Sequence, residues 1–161
     1  MVFSCRKIEH ESPHEAGRAL LSELYREHFQ TELPPILITD RGRPYFAGDP
    51  VWFSISHTKR HAFVVLSERP VGIDAEELDR IVKPGLAEKI LSPGELAQYR
   101  TAPDPNRALL TFWVLKKAAA KCSGEGLRGY PDHTDFSLED SRVFEHRGCL
   151  VAIIEEDAYA V

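Results

Sequence analysis

Cysteine is sparse and scattered in this sequence. Its three residues, Cys5, Cys122 and Cys149, include no CxxC pair. That argues against a disulfide framework and against a zinc site, and it suits a reduced compartment. No stretch reaches the roughly 18 apolar residues that a membrane span needs. The N-terminus has no long apolar run after a basic start, so neither a span nor a secretory leader is expected. An excess of basic residues is missing too. The net charge is −5, without the overall basic bias that gives a sequence-independent grip on nucleic acid. What remains is ordinary globular composition, 43% apolar and 28% charged over 161 residues, long enough to bury one core. The expectation is a cytoplasmic, single-domain protein with no nucleic-acid or membrane partner.

Along the chain, Val2 to Glu9 reads as a strand. Ser12-Pro13-His14-Glu15 is a capping box with proline at the first helical position. A helix follows to about Gln30, and Leu33-Pro34-Pro35 stops it. Ile36 to Thr39 is a short strand, Asp40 to Pro44 is turn chemistry, and three strands follow over 51–56, 62–67 and 71–76. The middle is helical: Pro84 to Leu91, a helix opened by the capping box Ser92-Pro93-Gly94-Glu95, and a long helix from Asp104-Pro105 to about Cys122, ended by Gly124 and Gly126. Residues 135–138, 142–146 and 149–155 return to strand, the last two joined by Arg147-Gly148. This order predicts an α+β fold with mostly antiparallel sheet. Strand–helix–strands occurs about twice, which predicts two related halves, 1–69 and 70–161, meeting at an interface.

Three segments carry candidate chemistry. Asp74 and Glu76 stand two apart on a predicted strand. Alternation puts both on one face, within reach of one small cation, and points Glu77 the other way. A hard divalent ion such as Mg²⁺ takes oxygen ligands and keeps several waters, so two carboxylates plus phosphate oxygens suffice for it. By spacing alone, a solvated strand end fits the pair at least as well. The long helix carries Trp113, Lys116, Lys117 and Lys121. Lys117 and Lys121, four apart, share a face where an anion would relieve their repulsion, and Lys116 lies on the flank. An exposed amphipathic face ending in lysine, favourable to the helix dipole, reads equally well. Ser54-Ile55-Ser56-His57-Thr58 ends a predicted strand in hydroxyls and imidazole, either a phosphate grip or a capped turn. A Ser-His hydrolase is disfavoured, because no nucleophile elbow surrounds Ser56.

In order along the chain stand Gly42-Arg43-Pro44-Tyr45, Ile55-Ser56-His57-Thr58, Val71-Gly72-Ile73-Asp74-Ala75-Glu76 and Trp113 through Lys121, with Leu91-Ser92-Pro93-Gly94-Glu95 and Gly124-Glu125-Gly126-Leu127 between and after them. Over roughly residues 14–138 this order resembles the 4′-phosphopantetheinyl transferases of the surfactin-synthetase-activating type. The resemblance implies an α+β fold of two pseudo-symmetric halves with the active site between them, acting as a monomer. It implies transfer of the phosphopantetheine arm of coenzyme A to a serine of an apo acyl or peptidyl carrier protein, releasing 3′,5′-adenosine bisphosphate. Mg²⁺ would bridge the pyrophosphate while the serine attacks the β-phosphate. Asp74 and Glu76 match the family's metal-binding carboxylates, Lys121 its lysine near the pyrophosphate and Lys116 a second coenzyme-contacting lysine. Arg18, Arg43, Ser56 and His57 match coenzyme-binding positions. One departure stands out. The family's helix reads Trp-x-x-Lys-Glu, with the glutamate a metal ligand, and here that residue is Lys117. An ammonium there puts positive charge where negative charge was needed. Three outcomes are open: Lys117 swings away from the ion, it binds pyrophosphate and partly replaces the metal, or the chain binds coenzyme A or a carrier without transferring.

Overall fold

The computed structural model describes residues 1–126 and 135–157. Strand β1 (Val2–Lys7) leads to helix α1 (Pro13–Phe29). Next come a hairpin of β2 (Ile36–Ile38) and β3 (Pro44–Phe46), then β4 (Trp52–His57), β5 (His61–Ser67) and β6 (Val71–Glu77). A 3₁₀ turn, Pro84–Leu86, runs into α2 (Ala87–Ile90), followed by α3 (Pro93–Thr101), α4 (Pro105–Ser123), β7 (Val143–His146) and β8 (Cys149–Glu155). The sheets are β1-β5-β4, β2-β3 and β6-β8-β7, with every pairing antiparallel. The fold is α+β, as expected.

Local chemistry sets the helix ends. Both capping boxes form: the hydroxyls of Ser12 and Ser92 accept from the N–H groups of Glu15 and Glu95, whose carboxylates accept in return from the serine N–H groups. Asp104 caps α4 by accepting from the Arg107 N–H, and Gly124 closes it at φ +74°.

Strand alternation then builds the layers. On β5, Ala62, Val64 and Leu66 pack with Ala16, Leu20 and Leu21 of α1, while Phe63 and Val65 face Val71, Ile73 and Ala75 of β6. On β8, Cys149 and Val151 join that inner core, and Leu150, Ala152 and Ile154 pack with Leu109, Phe112 and Leu115 of α4. The two three-stranded sheets therefore share an inner layer and carry helices on their outer faces.

Two contacts lock β6 in place. The N–H groups of Ile73 and Ala75, on the edge of β6 away from β8, donate to the Oγ atoms of Ser54 and Ser56 on β4, both at 3.1 Å. Hydroxyls of one sheet thus satisfy the open edge of the other. Gly72 lies directly on α4, where a Cβ would stand 2.0 Å from the Ala118 carbonyl oxygen. Only glycine lets the strand come this close, and the approach carries Asp74 and Glu76 onto the lysine face of α4.

The structure departs from the sequence expectations in two elements. Residues 44–46 form β3, starting at Pro44, as an edge strand tolerates. Residues 135–138 are not a strand. Their backbone is bound by side chains of α3 instead: the Phe136 N–H donates to Glu95 Oε1 (3.0 Å), and Gln98 bonds both the Phe136 carbonyl and the Leu138 N–H. Of the post-helix motif, Leu127 lies outside the described residues. No helix among the described residues is long and apolar enough to cross a membrane.

Candidate functional site at the seam of β4, β6 and α4

Asp74 and Glu76 emerge on the α4 side of β6, as the alternation predicts, and are 1% and 8% exposed. Glu77, on the opposite face, meets Arg60 (3.6 Å) and the Cys149 thiol. Asp74 is the hub of the site. Its Oδ1 accepts from Ser56 Oγ (3.2 Å) and from Lys121 Nζ (2.9 Å), and its Oδ2 lies 3.3 Å from Lys117 Nζ. Lys121 is further fixed by donating to the carbonyls of Ile55 (3.2 Å) and Ile73 (2.8 Å). That single ammonium therefore ties β4, β6 and α4 together. Glu76 Oε1 accepts from Trp113 Nε1 (3.0 Å), Lys117 Nζ (3.2 Å) and Arg80 (2.5 Å). Burial raises the Glu76 carboxyl, but Arg80 and Lys117 outweigh it and hold the group below the usual range.

His57, at the exposed end of β4, feels this cluster. Burial first, then the ammonium groups of Lys121 and Lys117 and the nearby His14, push its imidazole below the ordinary 6.5, and Asp74 opposes them only in part. The imidazole is therefore neutral at pH 7. Below 6.5 the unfolded chain takes up this proton more readily than the folded one. Stability that is intact above that pH is thus lost as pH falls through the folded value. A ¹H–¹⁵N titration is expected to give His57 a midpoint below 6.5, and His57→Gln should lessen the loss of stability on acidification. A midpoint above 6.5 would contradict the arrangement.

Arg43 reaches the seam from the β2–β3 hairpin. Its Nη1 donates to the Cys122 carbonyl (2.8 Å), and its guanidinium lies 4.4 Å over the Trp52 ring. Burial lowers its pKa. Gly124 clears its path, since a Cβ there would stand 2.9 Å from Arg43 Cδ. Arg43 borders two adjoining cavities. One, about 630 Å³, is lined by the hairpin, Trp52 and the end of α4. The other, about 300 Å³, is lined by Arg41, Arg43, Ile55, Lys117, Lys121 and Gly124, among others, and by no carboxylate among the described residues. Four cationic side chains around so small a space suit a phosphate-bearing ligand.

Asp74, Glu76, Ser56, His57, Lys117 and Lys121 thus come together, with Arg43 at the rim, while Arg18 is half-buried on α1. Lys116 does not join them. It is 1% exposed, and its Nζ pairs with the equally buried Glu95 (2.9 Å) inside the helical core, over the Phe136 ring. It does not lie on the flank of the lysine face, where the sequence predicts it. The residue extends the buried Leu109–Phe112 stripe by i+7 and i+4, a spacing visible in the sequence. Arg80 and Trp52 were not foreseen. Arg80 stands only four positions from its partner Glu76, a spacing visible in the sequence, whereas Trp52 meets Arg43 from another element, which no local pattern announces.

The family model of the 4′-phosphopantetheinyl transferase superfamily matches residues 70–152, from β6 through α4 into β8. The chain belongs to this superfamily. It is 35% identical over 119 residues to the 4′-phosphopantetheinyl transferase AcpT of Salmonella typhi, covering 68% of this chain and 57% of that protein. It is 28% identical over 150 residues to the 4′-phosphopantetheinyl transferase of Bacillus subtilis, covering 84% and 64%. A shorter match, 41% over 64 residues, is to the holo-[acyl-carrier-protein] synthase of Cronobacter sakazakii, covering 36% and 51%. The chain therefore spans little more than half the length of the Salmonella transferase. The superfamily match contains Asp74, Glu76, Lys117 and Lys121 and excludes Arg43, Ser56 and His57.

Proposed function

We propose that the protein transfers the 4′-phosphopantetheine arm of coenzyme A to a serine of an apo acyl or peptidyl carrier protein, as a cytoplasmic monomer, at the seam between halves 1–69 and 70–161. The observation that carries this reading is the Asp74–Lys121 pair, fixed to both strands and opening on a cation-lined cavity, in a chain of this superfamily. The carrier serine Oγ attacks the β-phosphorus and forms a new P–O bond. The bond from that phosphorus to the bridging oxygen breaks, 3′,5′-adenosine bisphosphate leaves with the electron pair, and the serine proton passes to water. Such chemistry rests on positioning and charge neutralisation. Lys121 and Lys117 would neutralise the pyrophosphate. Arg43, His57 and Arg18 would hold the adenosine phosphates, with the base in the cavity beside Trp52. Ser56 would keep Asp74 oriented.

The residues present do not fit the Mg²⁺ ion that the resemblance implies. Its two carboxylates are already ion-paired, and the Lys117 ammonium lies between them. The same lysine favours a second reading, a relative that binds coenzyme A or a carrier without transfer.

Intact-mass measurement of several apo carriers, incubated with the protein and coenzyme A with and without Mg²⁺, separates these readings. A gain of one phosphopantetheine mass is expected. Carriers left unmodified while a known transferase modifies them, together with calorimetric coenzyme A binding, would favour the binding relative. No binding at all would remove both.

A further inference from the structure

Lys117 is more than a missing glutamate. Its Nζ lies 3.2 Å from Glu76 Oε1 and 3.3 Å from Asp74 Oδ2, between the two carboxylates. The side chain is held along α4, with the ammonium 5.4 Å from the Trp113 ring centre, and is 25% exposed. It also lines the small cavity beside Arg41, Arg43 and Lys121. One cation thus touches both acidic groups and borders the space where a phosphate would sit. That is the role a divalent ion would otherwise fill.

The charges around the two carboxylates leave no room for a divalent ion. Asp74 and Glu76 contribute two negative charges, and Lys117, Lys121 and Arg80 contribute three positive ones within 3.3 Å of their oxygens. A divalent ion entering here would meet an ammonium in its place, no third carboxylate among the described residues, and a surplus of positive charge. Like charges at such separations repel strongly where water is scarce. Trp113 holds Glu76 Oε1 by a further hydrogen bond, so that oxygen cannot turn to a metal without losing the contact.

On the transferase reading proposed above, we propose that the Lys117 ammonium is a built-in replacement for the divalent cation, and that the chain grips the pyrophosphate of coenzyme A without a metal. The carboxylates then act as positioning residues that keep Lys117 and Lys121 pointed at the cavity. Lys117 is the ligand-contacting cation.

The test has two readouts that do not depend on turnover. Calorimetry measures coenzyme A binding in EDTA and in Mg²⁺. Electron paramagnetic resonance measures Mn²⁺ bound in the presence of coenzyme A, corrected for Mn²⁺ bound by coenzyme A alone. For the unmodified chain, affinities in the two conditions should agree within about threefold, with no protein-dependent Mn²⁺ signal. Lys117→Glu, which adds a carboxylate to Asp74 and Glu76, should gain a Mn²⁺ site and bind coenzyme A at least about tenfold more tightly with the metal than in EDTA. Lys117→Gln, nearly the same size, should weaken binding in EDTA by about tenfold or more, which keeps the test decisive if Lys117→Glu does not fold. A Mn²⁺ site in the unmodified chain, binding that needs the metal, or a silent Lys117→Gln would each overturn the proposal. Failure to bind coenzyme A in either condition would instead refute the transferase reading beneath it.

Discussion

Replacing Asp74 by asparagine is expected to lower kcat/KM for carrier modification by about 100-fold or more, the scale on which one preorganised electrostatic group acts in such sites. The substitution keeps the shape of a side chain that is 1% exposed and keeps an oxygen to accept from Ser56. What it removes is the negative charge facing both Lys117 and Lys121. Lys121 retains the carbonyls of Ile55 and Ile73, so the seam stays closed and the fold survives. Lys117 keeps only Glu76 and loses its fixed aim. Circular dichroism and denaturant unfolding should show a folded protein while the rate collapses. A variant with unchanged kcat/KM would place the reaction elsewhere.

Lys116→Met should do the opposite, costing stability and sparing the ligand. The buried pair with Glu95 is fully enclosed on both sides. Removing its cation leaves a carboxylate in the core, still bonded to the N–H groups of Ser92 and Phe136 but without a counter-charge. Breaking a buried pair this way costs about 3–5 kcal/mol. For a chain of this size that lowers Tm on the order of 10 °C, at about 2–4 °C per kcal/mol. Adding Glu95→Gln should recover much of the loss, since no buried charge then remains. Coenzyme A affinity, measured well below the transition, should stay within about twofold. A Lys116→Met chain with normal Tm and lost affinity would return this lysine to the ligand.

The contrast between the two lysines marks where sequence reasoning ends. Alternation along β6 was enough to put Asp74 and Glu76 on one face. The capping boxes at Ser12 and Ser92, together with Asp104, fixed the starts of α1, α3 and α4, because those signals lie within a few residues of one another. Residues 135–138 have a strand-like sequence but form no strand, because their backbone partners are Glu95 and Gln98, some forty positions away. Pro44 hid β3 for a different reason: its turn chemistry and its place at a strand start look alike. Lys117 reads in the sequence as a departure from the resemblance, but where its ammonium lies depends on contacts between elements. The close packing of Gly72 on Ala118 brings Asp74 and Glu76 onto α4, and the ammonium lies between them.

On the function proposed above, coenzyme A binds at the seam of β4, β6 and α4. The most direct test is a titration of the ¹⁵N-histidine and ¹³C-lysine-labelled protein with coenzyme A, followed by NMR. The ring signals of His57 and the side-chain signals of Lys117 and Lys121 should shift together along one binding curve, with the His57 midpoint rising as phosphate charge arrives, while Lys116 stays in place. Saturable shifts confined to other residues, or none at all, would contradict this account.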